Sequence, residues 1–450
     1  METISLDKSQ GARPSAAARL DRLPIGSFHK QVMWLIAYVF FFELGDLNTF
    51  AFAAPALRVQ WKLSIATIGI VTSAAFIGMF VGATTGGWFS DKVGRKKALL
   101  ITTVWYSGFS LLNAFVWNVP GLFVTRFLTG VGLSAMTVVA ITYISEIFPA
   151  KKRGTYQGWI MVIGLFGIPI TAHVAEVLIP MFTYGWRLVF VWGALGMLIL
   201  LFAHKIEESP RWYENHGRLV EADAALDRIE ARIKADFGTL PPLGEEPPKM
   251  GRRGKFSDLF APAYLPRTSM LIGAWIFQTL GFYGFMAWVP TLLAAHGFTL
   301  VKSLLWVSIM HFGAPLGAVI AALISDKFER KYLITITALV IAFCGLMYGL
   351  SFSMVPIIIF GFCVSMFIQT FAPLLYAYTP ECYPTEIRNS GSGIGYGVGR
   401  LANGFGPLIV AFLFTNYGYM SVFIYIAATW LMCAIIISAF GPKTKGRTLV

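Results

Sequence analysis

Two acidic residues inside an otherwise apolar segment are the first candidates for chemistry in this sequence. Glu43 and Asp46 lie about a dozen residues into an apolar run at positions 32–57. Because they are three residues apart, they share one face of a helix. Two carboxylates this close in a medium of low dielectric constant cannot both stay ionised without a large cost, so one would carry a proton at neutral pH. The pair is therefore a candidate proton-coupling site, and a purely structural polar pair is the alternative.

Two arginines lie at comparable depth in other apolar runs. Arg126 lies about a turn and a half into the run at 120–143 and is the cation of the first half nearest to Asp46. A pair of these two that breaks on protonation is a candidate coupling switch, with a permanent ion pair as the alternative. Arg400 lies about ten residues into the run at 390–415, and the apolar runs of the second half contain no Asp or Glu. We expect a substrate carboxylate to pair with it, and helix-end carbonyls are the alternative.

The composition indicates a protein that crosses a membrane many times. The chain is 56% hydrophobic and 13% charged, whereas soluble domains average roughly 25% charged residues. A bilayer needs a run of about 20 apolar residues. There are twelve such runs, near 32–57, 64–90, 98–117, 120–143, 155–179, 186–204, 268–294, 303–325, 332–352, 354–379, 390–415 and 418–440. We therefore predict an all-α membrane protein with twelve transmembrane helices.

The charges of the connecting loops predict the orientation of the chain. The net charge is +13, and its bases are concentrated in alternate loops, around Arg95, Lys151 and Arg330. Short basic loops stay in the cytoplasm. We therefore expect both termini in the cytoplasm and a charge that serves orientation in the lipid bilayer, with no binding of nucleic acid.

The same pattern predicts five regions. They are a cytoplasmic tail at 1–31, a six-helix bundle at 32–204, a cytoplasmic linker at 205–266, a second six-helix bundle at 267–440 and a tail at 441–450. Apolar residues recur with helical spacing over His216–Asp236, which predicts an amphipathic helix along the membrane surface. We expect four free thiols and no disulfide, at Cys344, Cys363, Cys382 and Cys433.

An internal repeat connects the two bundles. The turn Asp91-Lys92-Val-Gly94-Arg95 has a counterpart at Asp326-Lys327-Phe-Glu329-Arg330, displaced by 235 residues (91 to 326). A second motif, Glu146 to Arg153, recurs at the same displacement as Glu381 to Arg388. Two motifs at one displacement indicate a duplicated membrane unit.

These features resemble the major facilitator superfamily of transporters and its sugar-porter and organic-ion branch. The loop motif around Asp91 and the helix motif Arg126-x-x-x-Gly130-x-Gly132 carry the resemblance, with Glu208-Ser-Pro-Arg211 and Pro442-Lys-Thr-Lys-Gly-Arg447 at the ends of the halves. The resemblance implies two pseudo-symmetric six-helix bundles around a site at mid-membrane. It also implies a cytoplasmic gate built from Asp91, Arg95, Glu146, Arg153, Asp326, Arg330, Glu381 and Arg388.

Within this superfamily the chain resembles bacterial niacin (vitamin B3) transporters, which implies a location in the bacterial inner (plasma) membrane. The matching segments include Tyr283-Gly-Phe-Met-Ala-Trp288-Val-Pro290 and Gly399-Arg400-Leu401. The start Gln278-x-x-Gly281 resembles sugar porters, but Tyr283 replaces their sugar-binding Asn, which favours a flat ring over a hexose. Met136 stands where these transporters carry a glutamate.

The predicted substrate site combines Arg400 with aromatic and amide side chains, for which packing alone is the alternative. Its other members are Gln278, Phe282, Tyr283, Trp288, Tyr376 and Asn403. His173 and His311 lie in apolar runs, and we expect both to pack there.

The predicted function is import of a small aromatic monocarboxylate such as nicotinate, together with a proton, by alternating access. One alternative is an exporter of organic cations or drugs, which would use Glu43 and Asp46 and leave Arg400 without a role. Another is a membrane sensor that binds the same ligand without transport. The sequence contains no nucleophile–base set, metal cluster or phosphate-binding loop. We therefore expect no enzymatic activity, no cofactor and no metal site, and a monomer.

Overall fold

The computed structural model describes residues 14–243, 256–325, 327–384 and 387–444, apart from the side chain of Asn389. The predicted gate residue Asp326 lies outside the described residues. Parts of both predicted tails and residues 244–255 of the predicted linker lie outside them as well. The described residues form helices, turns and loops, with no strand among them.

The first half contains six membrane-crossing segments. A short helix, α1 (Ala16–Asp21), precedes them. Four segments are single helices, namely α2 (Ser27–Gln60), α3 (Ile65–Val93), α4 (Arg95–Asn113) and α5 (Val119–Ile147). The fifth is divided into α6 (Ala150–Leu165) and α7 (Gly167–Met181), and the sixth is α8 (Gly185–Gly193) continued by a 3₁₀ segment, Ala194–Lys205.

Two helices of the linker and six further segments follow. The linker contains α9 (Pro210–Asn215), α10 (Leu219–Phe237) and a 3₁₀ turn, Phe256–Phe260. The seventh and eighth segments are α11 (Leu265–Met286) with α12 (Val289–Ala295), and α13 (Leu300–His311) with α14 (Gly313–Ile324). The last four are α15 (Arg330–Gly349), α16 (Met354–Glu381), α17 (Arg388–Asn403) with α18 (Gly406–Tyr417), and α19 (Tyr419–Phe440).

Eleven of the segments within the described residues are long and apolar enough to cross a membrane. The twelfth is α4, whose 19 residues begin with three bases and include several hydroxyl side chains. Thr102, Thr103, Ser107 and Ser110 are buried, and most of their hydroxyls bond to protein groups inside the bundle. The lower hydropathy of α4 therefore reflects a polar interior face, and the architecture agrees with twelve predicted helices.

Four apolar runs that the sequence analysis treated as continuous are divided in the structure. They break at Phe166, before Trp288, at Phe312 and at Gly404. In each case a proline occupies the second or third position of the following helix, at Pro169, Pro290, Pro315 and Pro407. Proline removes a backbone donor but is tolerated in the first turn of a helix, so the chain restarts there.

Pairs of glycines show the internal repeat in the packing. Gly78 of α3 lies against the carbonyl of Phe127 in α5, and Gly313 of α14 lies against the carbonyl of Phe362 in α16. Each residue of the second contact follows its counterpart by 235 positions. One turn later, Gly82 and Gly317 repeat the arrangement, and a Cβ atom at any of these positions would overlap backbone atoms. Glycine thus allows equivalent helices of both halves to approach closely.

A helical layer covers the first half at the end that carries the basic loops, which we call the basic end. There Arg19 of α1 pairs with Asp223, Asp227 and Glu230 of α10 at 2.6–3.2 Å, and Arg22 pairs with Glu230 at 2.8 Å. The apolar face of α10 is buried against the first turns of α2. Most of the stretch predicted to be an amphipathic helix is α10, and the N-terminal segment is fixed to it.

Candidate substrate site and gates

Arg400 occupies the last turn of α17 and faces the first half at mid-depth. Its Nε donates to the hydroxyl of Tyr396 at 2.9 Å, and its Nη1 donates to the hydroxyl of Tyr283 at 3.1 Å. The guanidinium also lies 4.9 Å from the ring of Tyr396, and Sδ of Met79 is 4.0 Å from Nη1. Among the described residues, no carboxylate is within 4 Å of it. Two phenols therefore fix the orientation of a cation that has no ion-pair partner among the described residues of its own half.

Aromatic rings surround this arginine. The ring of Tyr283 lies 4.7 Å from that of Phe282 and 4.7 Å from that of Phe76, which belongs to α3 of the first half. Tyr376 lies 4.8 Å from Trp275 and 5.7 Å from Tyr396. The side chain of Tyr376 is 49% exposed although it lies deep in the bundle. These rings, tilted by 49–78° to one another, form an aromatic wall to which both halves contribute.

Glu43 approaches this group from the first half. It is the 17th of the 34 residues of α2 and is 4% exposed. Its Oε1 accepts a hydrogen bond from Thr137 of α5 at 2.9 Å, whereas its Oε2 is buried without a partner. The charge of Arg400 acts on this carboxyl group across the boundary between the halves. Glu43 is thus within electrostatic range of Arg400 without forming an ion pair with it, a relationship that the sequence did not predict.

Asp46 is enclosed by groups of the first half. Its Oδ1 accepts hydrogen bonds from the hydroxyls of Ser110 and Thr49, the latter at 3.3 Å. Gly193 leaves the space that this carboxylate fills, since a Cβ there would lie 3.0 Å from Cγ of Asp46. Asp46 is fully buried, and its Oδ2 has no partner.

The predicted ion pair between Asp46 and Arg126 is not formed in this conformation. Arg126 is 2% exposed and lies over the ring of Phe50 at 5.6 Å, and its Nε and Nη1 have no hydrogen-bond partner. Its charge acts on Asp46 without direct contact. In place of the guanidinium, the hydroxyls of Ser110 and Thr49 bond to Oδ1 of Asp46, and the role of Arg126 in coupling stays a prediction.

Three predicted site residues form no described hydrogen bond or ring contact with Arg400 or with the aromatic residues around it. Gln278 is buried, and its amide oxygen accepts a hydrogen bond from Thr279. Trp288 is 1% exposed at the start of α12, and its indole nitrogen has no partner. Asn403 is buried one turn beyond Arg400, with both amide atoms unpartnered. Their roles in binding stay predictions.

At the end opposite the basic loops, the two halves are in contact. Ser308 of α13 donates to Glu176 of α7 at 3.4 Å, and Gly69 of α3 packs against Pro407 of α18. His311 is buried against Phe52 of the first half. His311 packs as expected.

His173 differs from the expectation that it packs. Its side chain is 64% exposed, and its Nδ1 lies 3.0 Å from Glu176. Glu176 is an acid inside an apolar run that the sequence analysis overlooked.

At the basic end, the predicted gate residues of the first half contact one another. Arg95 pairs with Asp91 at 2.6 Å and with Glu146 at 2.9 Å. Its backbone N–H, and that of Lys96, donate to Glu208, which therefore caps α4. The capping carboxylate lies beside Gly94, whose φ of +100° favours glycine. The side chain of Asp91 remains 67% exposed.

The second half repeats this arrangement. Arg330 forms an ion pair with Glu381, and its Nε donates to Ser325 at 3.4 Å, as Arg95 bonds Ser90. Tyr378 donates to the carbonyl of Pro442 in the way that Tyr143 donates to that of Glu207. Each partner is again displaced by 235 residues. Arg153 and Arg388, also predicted for the gate, lie at the same end.

Several residues around these sites were missed by sequence reasoning. Tyr396 precedes Arg400 by four positions on one helix, a spacing that would have predicted its contact. Thr137 directly follows Met136, the position where a carboxylate was expected. The sequence could not identify Ser110 and Trp275 as neighbours of the site, because hydroxyl and aromatic residues occur throughout the apolar runs.

Comparison with known proteins agrees with this architecture. The model of the family described as "Sugar (and other) transporter" matches residues 28–450. The chain is 45% identical to YyaJ of Bacillus subtilis (strain 168), which is named for metabolite transport, over the full length of both. It is 30% identical to the niacin transporter NiaP of Acinetobacter baylyi (strain ATCC 33305 / BD413 / ADP1), covering 96% of this chain and 98% of NiaP.

A solved structure shares the fold. The crystal structure of a D-xylose–proton symporter superposes with a TM-score of 0.75 at 21% identity, covering 94% of this chain and all of that one. The predicted fold, twelve helices in two six-helix bundles, is thereby confirmed. The chain belongs to the sugar (and other) transporter family of the major facilitator superfamily, and it is a multi-pass membrane transporter and not an enzyme.

Proposed function

We propose that the protein is a proton-coupled importer of small aromatic monocarboxylates such as nicotinate. The observation that carries this proposal is Arg400, a cation oriented by two tyrosine hydroxyls among aromatic rings, with no carboxylate within 4 Å in the described residues. An unpaired charge at membrane depth is costly. A ligand carboxylate would relieve that cost with two parallel hydrogen bonds, and the rings would cover a flat body. The name of the 30% identical niacin transporter supports this substrate class.

The two acids of α2 are the candidate carriers of the proton. Asp46 is enclosed near Arg126 without an ion pair, and Glu43 lies within the field of Arg400. A proton on Asp46 removes its attraction for Arg126, and loss of the proton restores it. An ion pair that forms in only one conformation is a means of linking a proton to movement of the helices.

We assign the basic end and both termini to the cytoplasm, following the distribution of bases in the loops. The described contacts between the halves through Glu176 and Gly69 lie at the other end, and the gate pairs around Arg95 and Arg330 lie within one half each. By these contacts, the halves are closed against each other at the end that we assign to the outside. Alternating access would require these two sets of contacts to exchange, with a gate across the halves forming at the basic end.

The decisive experiment is uptake by proteoliposomes that contain only this protein. An inward proton gradient should drive accumulation of labelled nicotinate, and collapse of the gradient should stop it. Arg400→Ala should lose uptake at low substrate concentration, whereas Arg218→Ala, which removes a surface guanidinium paired with Glu221, should transport normally. Accumulation of nicotinate that is independent of the proton gradient contradicts proton coupling.

The same vesicles separate the alternatives. A ligand sensor would bind nicotinate without any uptake. An exporter of organic cations would transport a lipophilic cation in a manner that depends on Glu43 and Asp46 and is insensitive to Arg400→Ala.

A further inference from the structure

We propose that Glu43 determines specificity, because it binds a polar atom on the ring of a ligand whose carboxylate is bound by Arg400. The preferred substrates are then aromatic acids that carry a ring nitrogen or hydroxyl in addition to the carboxylate. This inference rests on the proposed function and adds a second recognition point to the same site. The two recognition groups come from opposite halves of the protein.

The first support is the incomplete hydrogen bonding of Glu43. Thr137 satisfies Oε1, but Oε2 is buried without any donor or acceptor among the described residues. An unsatisfied buried oxygen costs free energy that a suitable partner would recover. Glu43 is also 4% exposed, so water has little access to it. A ligand atom is the partner that the alternating cycle supplies.

The second support is the position of Glu43 relative to Asp46. The partners of Asp46 are Ser110, Thr49, Gly193 and Arg126, all in the first half. The charge of Arg400 in the second half acts on Glu43, although no ion pair joins the two side chains. Of the two acids, Glu43 is therefore the one nearer to the second half.

The third support is the chemistry of a carboxyl group in either protonation state. Protonated Glu43 donates a hydrogen bond to a ring nitrogen, and ionised Glu43 accepts one from a ring hydroxyl. A ligand held at Arg400 and at Glu43 would connect the two halves through one rigid ring. Such bridging favours the conformations in which the halves are close together around the substrate.

A simpler role for Glu43 is that of a counter-ion that the substrate carboxylate displaces from Arg400. The two roles differ in what removal of Glu43 does to a matched pair of ligands. Nicotinate and benzoate have the same shape and the same carboxylate, and only nicotinate has a ring nitrogen. If Glu43 is a counter-ion, its removal changes the affinity of both acids equally. If Glu43 contacts the ring nitrogen, its removal weakens the binding of nicotinate alone.

The test measures binding of nicotinate and benzoate to the purified wild-type protein, Glu43→Met and Glu43→Gln. In Glu43→Met we expect nicotinate to lose about tenfold in affinity relative to benzoate, the effect of one hydrogen bond in a buried site. Glu43→Gln should retain the preference for nicotinate, because its amide N–H can still donate to the ring nitrogen. Benzoate binding also shows that each variant is folded.

Equal changes for the two acids in Glu43→Met overturn the specificity role and leave the proposed function intact. A wild-type protein that binds neither acid overturns the proposed function itself. The same holds if Arg400→Ala leaves the affinity of both acids unchanged. If Glu43→Met fails to fold, Glu43→Ala provides the second variant, since it too lacks a donor and an acceptor at this position and should reduce the preference for nicotinate. An unchanged preference in that variant contradicts the proposal.

Discussion

The hydroxyl of Tyr283 lies 3.1 Å from Nη1 of Arg400, so an aromatic residue of α11 fixes the direction of a cation on α17. Tyr396 makes the second such bond from the preceding turn of α17. Because both bonds use phenol oxygens, they can be removed without removing the rings. The wall around the arginine and the orientation of its guanidinium can therefore be tested separately.

The first prediction concerns these two hydroxyls. Tyr283→Phe and Tyr396→Phe should each weaken binding of an aromatic acid by roughly two- to twelvefold, since one hydrogen bond contributes about 0.5–1.5 kcal/mol net. The matching neutral amide should bind with unchanged affinity, because the rings remain. Calorimetry on the acid and the amide gives the comparison. Equal losses for both ligands would show that the hydroxyls act on packing rather than on Arg400.

The second prediction concerns close helix packing in both halves. Gly82→Ala and Gly317→Ala force a methyl group into the backbone carbonyl of the facing helix, at Val131 and Met366 respectively, and overpacking of this kind costs about 1–3 kcal/mol. Each should lower the melting temperature in detergent by several degrees. Gly87→Ala is the matched control, because its nearest neighbour is 3.9 Å away. A control that is destabilised as much as the test variants would refute the explanation.

The internal repeat was the part of the fold that the sequence could reveal. Two motifs at one displacement predicted two equivalent halves, and the packing of Gly78 and Gly313 follows that displacement. The breaks before Trp288 and at Phe312 were not predicted. Hydropathy is insensitive to them, because the residues at a break are as apolar as those in a helix.

The composition of the site was predicted less completely than its location. Arg400 and Tyr283 were expected near each other and are. The contact of Asp46 with Ser110 was not expected, because charge alone suggested Arg126 as its partner. Side-chain hydroxyls compete for buried carboxylates, and their positions depend on helix packing that one sequence does not specify.

The third prediction concerns the helical layer at the basic end. Burial raises the pKa of Glu230, but hydrogen bonds from Arg19 and Arg22 more than offset this, so its pKa lies below the ordinary value. A lowered carboxyl pKa stabilises the folded form at neutral pH, and this stabilisation is lost as the pH falls below about 4.3 and through the lowered pKa. Protection of α1 from hydrogen exchange should be constant near neutral pH and decrease in that acidic range.

The variant Arg19→Ala should reduce the protection of α1 already at neutral pH, and added salt should reduce it further in the wild type. Arg218→Ala removes an exposed pair with Glu221 and serves as the control. Protection of α1 that is independent of both Arg19 and pH would mean that apolar contacts alone hold it.

The fourth prediction concerns the contacts that close each end. A reporter cysteine at position 376 replaces a half-exposed side chain, in a variant whose four native cysteines are changed to alanine. Asp91→Asn should increase labelling of this cysteine from the basic end, because it weakens the gate expected to form there. Glu176→Leu removes the acceptor for Ser308 and should decrease labelling from the basic end while increasing it from the other. Changes of the same sign in both variants would contradict alternating access.

The last prediction concerns proton coupling. Asp46→Asn keeps the shape of a buried side chain that bonds to Ser110 and Thr49 but cannot exchange a proton. Accumulation of substrate driven by a pH gradient should be lost, a decrease of at least tenfold, because the variant cannot alternate between a neutral and a charged state near Arg126. Exchange of internal for external substrate needs no net proton movement and should persist in the same vesicles. Gly193→Ala forces a methyl group against the Asp46 carboxylate and should reduce gradient-driven accumulation more than exchange. Gradient-driven accumulation at the wild-type level in Asp46→Asn would assign the proton to another group, and Glu43 would be the next acid to test.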